Sequence, residues 1–109
     1  MNIESIAMQI IVNSGDSRSN AFKALRYAKI GDFDAAEKCL AEAKERALDA
    51  HRAQTELLQK EAAGDNMKVS LLMVHAQDHL MTSMLAKDLI SEMIDLVKIN
   101  NELRQSNGE

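Results

Sequence analysis

The sequence predicts an all-α fold, an antiparallel three-helix bundle in the manner of a spectrin repeat, and three observations carry that prediction. Apolar residues recur at alternating three- and four-residue spacing through three long stretches. Proline is absent, and the aromatics Phe22, Tyr27 and Phe33 are too few for the β-branched and aromatic runs that a sheet requires. Two Gly-Asp pairs, Gly31-Asp32 and Gly64-Asp65, stand where one helix would stop and the next begin. With 109 residues, 46% of them hydrophobic and 28% charged, residues 1–109 are expected to form one globular domain.

The first helix is expected from about Ile3 to Ile30. Ile3, Ile6, Ala7, Ile10 and Ile11 share a face, and Ala21, Phe22, Leu25 and Ala28 resume the pattern. Gly15 interrupts it. Glycine inside a helix costs about 1 kcal/mol relative to alanine, so its place predicts a bend or the close approach of another backbone. Gly31 then supplies a left-handed cap, and Asp32 an N-cap for the second helix, whose first turns carry Asp34 and Glu37 where the helix dipole favours negative charge. That helix lines up Phe33, Ala36, Leu40, Ala43, Ala47, Ala50, Gln54 and Leu57 in a seam small enough for close antiparallel packing. On its other faces Asp34/Lys38, Glu42/Arg46 and Glu56/Lys60 are spaced to pair.

Gly64, Asp65 and Asn66 end the second helix, and the third is read from Lys68 to about Leu103, ahead of a polar tail. From Val69 to Val97 it carries too many Leu, Met, Ile and Val residues for the stripe of one amphipathic helix. Two neighbouring rods, each roughly 45 Å long at about 1.5 Å per residue, would leave part of that surface wet. Self-association through the third helix follows; composition specifies an oligomer and no more.

Thirteen basic against seventeen acidic residues give a net charge of -4. With no Lys/Arg cluster and no aromatic stacking run, nucleic-acid binding is excluded as a function class. Cys39 is the single cysteine, so no internal disulfide forms, and the start of the chain has no basic, apolar leader. The cytoplasm is the expected compartment. Strictly apolar runs such as Leu71 to Val74 fall far short of the roughly 20 residues of a membrane span, so any membrane connection runs through a partner.

Chemistry concentrates in His75-Ala76-Gln77-Asp78-His79. On a helix His75, Asp78 and His79 lie at i, i+3 and i+4 and project from adjoining parts of one face, amid Leu, Met, Val and Ala. Polar groups there cost free energy unless partnered. A lone helical histidine is usually structural, but neutral imidazole is also a nucleophile near pH 7 that can accept a phosphoryl group and return it through a labile P–N bond. Asp78 can orient an imidazole or, if the third helix lies on a threefold axis, converge with its copies around a cation. His75 and His79 also suit a zinc pair with His51 as a third nitrogen, but HxxxH lacks the glutamate of a metalloprotease helix.

The run from Lys68 to Ser83, above all Val74 to Thr82, closely resembles the active-site helix of the lactose/cellobiose family of enzyme IIA proteins of the bacterial sugar phosphotransferase system. Ile10 to Ser19 resembles that family's first helix, Gly31-Asp32-Phe33 its first turn, and Ala50 to Thr55 its second helix. The resemblance implies that the first helix is unbroken and that the chain is a homotrimer with its third helices at the centre. It implies that His75 takes phosphate from the phosphocarrier HPr and delivers it to a cysteine of enzyme IIB. It implies further that Asp78 binds a metal shared by three subunits, Mg2+ being the hard-cation choice. Gln77 and His79 would shape the pocket around phospho-His75, with His51 and Gln54 of the second helix facing the same cleft. Ile11 to Gly15 and Met67 to Ala86 look more like the cellobiose/chitobiose branch than the lactose branch, which implies uptake of a β-linked disaccharide. Ser17 and Asp49 depart from the family's usual Ala and Glu.

A competing reading takes Ala24 to Ala47, with Gly31-Asp32-Phe33, as a tetratricopeptide-like hairpin in a protein-interaction module. A solenoid needs about three repeats, and Asn66 to Val69 do not continue the pattern. A metal-dependent bundle enzyme is disfavoured by the absence of paired Glu-x-x-His motifs.

Overall fold

The structure, a computed structural model, describes residues 2–64 and 69–108. Three helices account for nearly all of them: α1 (Ile3–Lys29), α2 (Phe33–Ala62) and α3 (Leu71–Ser106). Asn2 caps α1 by accepting from the backbone N–H of Ser5 at 2.8 Å, and α1 runs unbroken through Gly15. Gly31 has φ +83° and Asp32 accepts from the N–H of Ala35 at 3.1 Å, so the first turn is built as its sequence predicts. The third helix begins later than expected. Ser70 is its N-cap, bound by the N–H of Met73 at 3.2 Å, which leaves Val69 outside the helix. A serine side chain satisfying a first-turn N–H outcompetes continuation of the helix toward the amino end. Asp65, Asn66 and Lys68 lie outside the described residues.

Packing fixes the directions. Ile6, Ala7 and Ile10 of α1 cluster with Ala50, Ala53 and Leu57 of α2 and with Ala76 and Leu80 of α3. Near the Gly31 turn Ala21, Ala24 and Ala28 meet Ala36, Leu40 and Ala43, together with Ile90 and Ile94. Helices α1 and α2 are therefore antiparallel, and α1 and α3 parallel. The alanine seam lets the rods approach closely, whereas α2 and α3 meet far more sparingly than either meets α1. Because α3 closes back along α1, no second hairpin stacks on the first, and the tetratricopeptide reading fails.

Between the two apolar clusters the core is polar. Ser14, Ser17 and Ser83 are buried there; Ser17 donates to the Ala43 carbonyl at 2.7 Å, while the hydroxyls of Ser14 and Ser83 have no hydrogen-bond partner among the described residues. On the surface of α2, of the three pairs spaced to form, Glu42–Arg46 alone closes, at 3.2 Å and off the line of the N–H. Asp49 holds Arg46 at 2.8 Å and Arg52 at 3.0 Å. Both departures from the family pattern, Ser17 and Asp49, thus have local partners.

The excess of apolar residues on α3 is left uncovered. Leu71, Val74, Met81, Leu85, Leu89, Met93, Leu96, Ile99 and Leu103 form an exposed stripe pointing away from the core, with Leu71 86% and Leu96 65% exposed.

Candidate functional site

His75, Gln77, Asp78 and His79 occupy the first turns of α3, where helical geometry puts the histidines on one flank of the apolar stripe and Gln77 on the other, while His51 and Gln54 come from α2. Residues four apart share a face, and the rings of His75 and His79 stack with centroids 5.6 Å apart and planes 24° from parallel. His75 is exposed, and His79 is half-buried against α1. A methyl group placed on Gly15 would lie 3.6 Å from Nε2 of His79. The interior glycine therefore faces an imidazole at ordinary contact distance, not another backbone, and α1 needs no bend. A surface hollow lined by Leu71 and Leu72 opens beside His75.

His79 is held below its ordinary pKa of 6.5, first by burial, then by the positive charges of Arg18 and His75, with Asp78 opposing. At neutral pH its imidazole stays uncharged. Arg18 is the residue that sequence reasoning passed over. Its only signal is position, one helical turn after Gly15, and its charge bears on His79.

Gln77 lies two residues from either histidine and so projects to nearly the opposite side of α3. There it accepts from the amide of Gln54 at 2.8 Å, a bond that ties α2 to α3. A groove over this pair is lined by Leu57, Leu58, Met73, Val74 and Asp78 among others. His51 lies elsewhere, in a separate hollow with Lys44, Leu48, Met84 and Lys87, and its carbonyl accepts from Thr55 at 3.0 Å. Within one chain, then, His75 and His79 come together, Gln54 and Gln77 come together, and His51 joins neither pair. A single chain therefore does not by itself gather all five into one cleft.

Asp78 emerges within the stripe between Val74 and Met81, exposed and without an ion-pair partner among the described residues. No three His, Cys, Asp or Glu side chains of a single chain converge on a metal position among those residues. That excludes a zinc site built from His51, His75 and His79 in one chain. A lone carboxylate on an otherwise apolar, uncovered face is a donor that copies of the chain could combine into an oxygen-ligand site.

Residues 5–98 match the family model for the lactose/cellobiose-specific IIA subunit of the phosphotransferase system. The chain is 50% identical over 94 residues to the N,N'-diacetylchitobiose-specific EIIA component of Escherichia coli strain K12, covering 86% of this chain and 81% of that protein. It superposes on the crystal structure of the cellobiose-specific enzyme IIA of Bacillus anthracis with a TM-score of 0.88 at 44% identity, over 94% of both chains. A second likeness, with a TM-score of 0.80 and 46% identity over 93% of this chain and 98% of the other, is to the chitobiose IIA protein of Escherichia coli solved in complex with HPr. No described helix is long and apolar enough to cross a membrane.

Proposed function

We propose, from the premise that the chain belongs to the lactose/cellobiose-specific IIA family and is a phosphotransferase component, that His75 carries phosphate from HPr to enzyme IIB. The observation that carries this reading is the exposed His75 ring stacked on a half-buried His79. A lone pair on one imidazole nitrogen of His75 attacks phosphorus as the donor's P–N bond breaks, and the other ring nitrogen keeps its proton. In the second step the new P–N bond breaks as a thiolate of enzyme IIB bonds to phosphorus, and the imidazole is restored. His79 limits rotation of the acceptor ring by stacking against it. Arg18, whose charge is felt at the stacked His79, would favour the negative charge that phosphorylation brings to His75.

A parallel homotrimer completes the site. With the α3 stripes facing a threefold axis, the His75 flank of each chain meets the Gln54–Gln77 flank of the next, which supplies amide groups to the phosphoryl oxygens. The same arrangement gathers three Asp78 carboxylates, which would hold a divalent cation such as Mg2+ and relieve their mutual repulsion; the cation's part is to neutralise charge in the trimer core. Similarity to chitobiose and cellobiose proteins supports a β-linked disaccharide as the sugar of the system, with the carrier working in the cytoplasm.

The test is acid-labile phosphate, read by intact mass after incubation with enzyme I, HPr and phosphoenolpyruvate. His75→Gln should fold and take up none, and His79→Gln should take up phosphate more slowly. Phosphate on His75→Gln but not on His79→Gln would reverse the assignment.

A further inference from the structure

We propose that the outer face of the carboxyl-terminal half of α1 is a docking surface for an acidic segment of a protein partner, with Lys23 and Arg26 receiving its carboxylates. The sequence holds no run of basic residues, but it places Arg18, Lys23, Arg26 and Lys29 between Asp16 and Asp32 with no acidic residue among them. Coiling into α1 brings these side chains onto one outward face with Phe22 and Ile30. Lys23, Arg26, Tyr27 and Ile30 line a surface hollow of about 340 Å³ that has no carboxylate in its wall. Arg46, Arg52, Lys87 and Lys98 each hold a carboxylate, whereas Lys23, Arg26 and Lys29, like Lys38, Lys44 and Lys60 of α2, form no ion pair among the described residues; what sets the α1 group apart is its grouping around one hollow. The helix dipole accounts for basic residues in the last turn, Arg26 and Lys29, but does not extend to Lys23 and Arg18.

Two features define the occupant. The hollow combines the cations of Lys23 and Arg26 with Tyr27 and a 77% exposed Ile30, which suits a segment carrying both carboxylates and apolar side chains. The chain as a whole carries a charge of -4, so an extended anionic bilayer would repel its other faces. A protein segment meets only what lies within a Debye length of the hollow, about 8–10 Å. Toward the amino end the same face continues through Gly15 to the exposed Val12 and Met8. Arg26 lies roughly 16 Å along the axis from Gly15, so a segment gripped there can keep the body of its protein over the histidines. The inference rests on the carrier function for its choice of partner, a protein that exchanges phosphate with His75.

The experiment compares full-length Lys23→Glu/Arg26→Glu with Lys38→Glu/Arg52→Glu, which makes the same charge change on the exposed face of α2. Dissociation constants for HPr and for enzyme IIB are measured by calorimetry at low and high salt. At low salt the α1 variant should bind at least one of the two proteins about tenfold more weakly, the deficit should shrink at high salt, and the α2 variant should bind like wild type. Circular dichroism checks the fold, and Lys23→Gln/Arg26→Gln should show a smaller loss in the same direction. Stoichiometric phosphorylation of His75 at long times should be unchanged in every variant, so failure of the carrier reading would appear separately, in wild type. Unchanged affinity for both proteins overturns the docking surface, as does equal weakening by the α2 variant. Unchanged protein affinities with loss of binding to phosphatidylglycerol vesicles would assign the face to a membrane instead.

Discussion

Replacing Ser83 with alanine should stabilise the protein, and replacing Ser17 should destabilise it, although both are buried serines in the same polar layer. The Ser83 hydroxyl is buried with no partner among the described residues. Leaving such a group unpaired costs about 1–3 kcal/mol, and removing one oxygen forfeits only a few contacts, so Ser83→Ala should gain about 1 kcal/mol. Ser17 donates to the Ala43 carbonyl at 2.7 Å, and its loss should cost about 1 kcal/mol. In a domain of this size each kcal/mol moves Tm by about 4–8 °C, so the two variants should melt on opposite sides of wild type. Thermal unfolding followed by circular dichroism measures this, at one fixed protein concentration because the proposed self-association would make Tm concentration-dependent. Equal losses in both variants would mean that Ser83 does have a partner, such as a bridging water, and would refute the reasoning.

Gly15→Ala should raise stability by about 1 kcal/mol with little change in phosphorylation rate, because the added methyl gains helix propensity and reaches His79 at ordinary contact distance; a fall in urea midpoint would contradict that geometry. Asp78→Leu should preserve or strengthen the proposed trimer and make it insensitive to chelator, since three carboxylates that would converge there are exchanged for apolar packing, with light scattering in the presence and absence of EDTA as the assay. His79 binds its proton less tightly in the folded protein than in the unfolded chain, so its contribution to stability is intact above 6.5 and is lost as pH falls from there through its lowered value. His79→Gln should therefore lose less stability than wild type over that interval, and parallel denaturation profiles would count against a depressed pKa.

Period and punctuation made the fold legible: the Gly31-Asp32 turn forms with its predicted cap, and the alanine seam of α2 packs as its small side chains require. The start of α3 is not legible in the pattern, because Val69 continues the apolar spacing while the Ser70 hydroxyl, capping one N–H, decides where the helix begins. The pairing of His75 with His79 follows from their spacing. The separation of Gln77 from both follows from spacing too, residues two apart on a helix pointing to nearly opposite sides. Gly15 as the seat of His79, and Arg18 as its electrostatic neighbour, depend on how α1 registers against α3, which no local pattern encodes.

That register also bears on how the chain acquires its shape. The joined pair α1 and α2 makes contacts across a short turn, so its loop-closure cost is small and its hairpin can zip from Gly31 outward. Helix α3 instead packs mainly on α1, with Leu80 meeting Ile6 and Ile10 across some seventy residues of sequence. Contacts of such long sequence separation are reached late and slow a helical protein relative to its local-contact peers. During synthesis the hairpin emerges with the groove for α3 open, and the most apolar helix of the three arrives last. Until it docks, both the groove and α3 are exposed to aggregation, so the stage that most needs protection from a chaperone is the interval between the exit of Ala62 and that of Ser106.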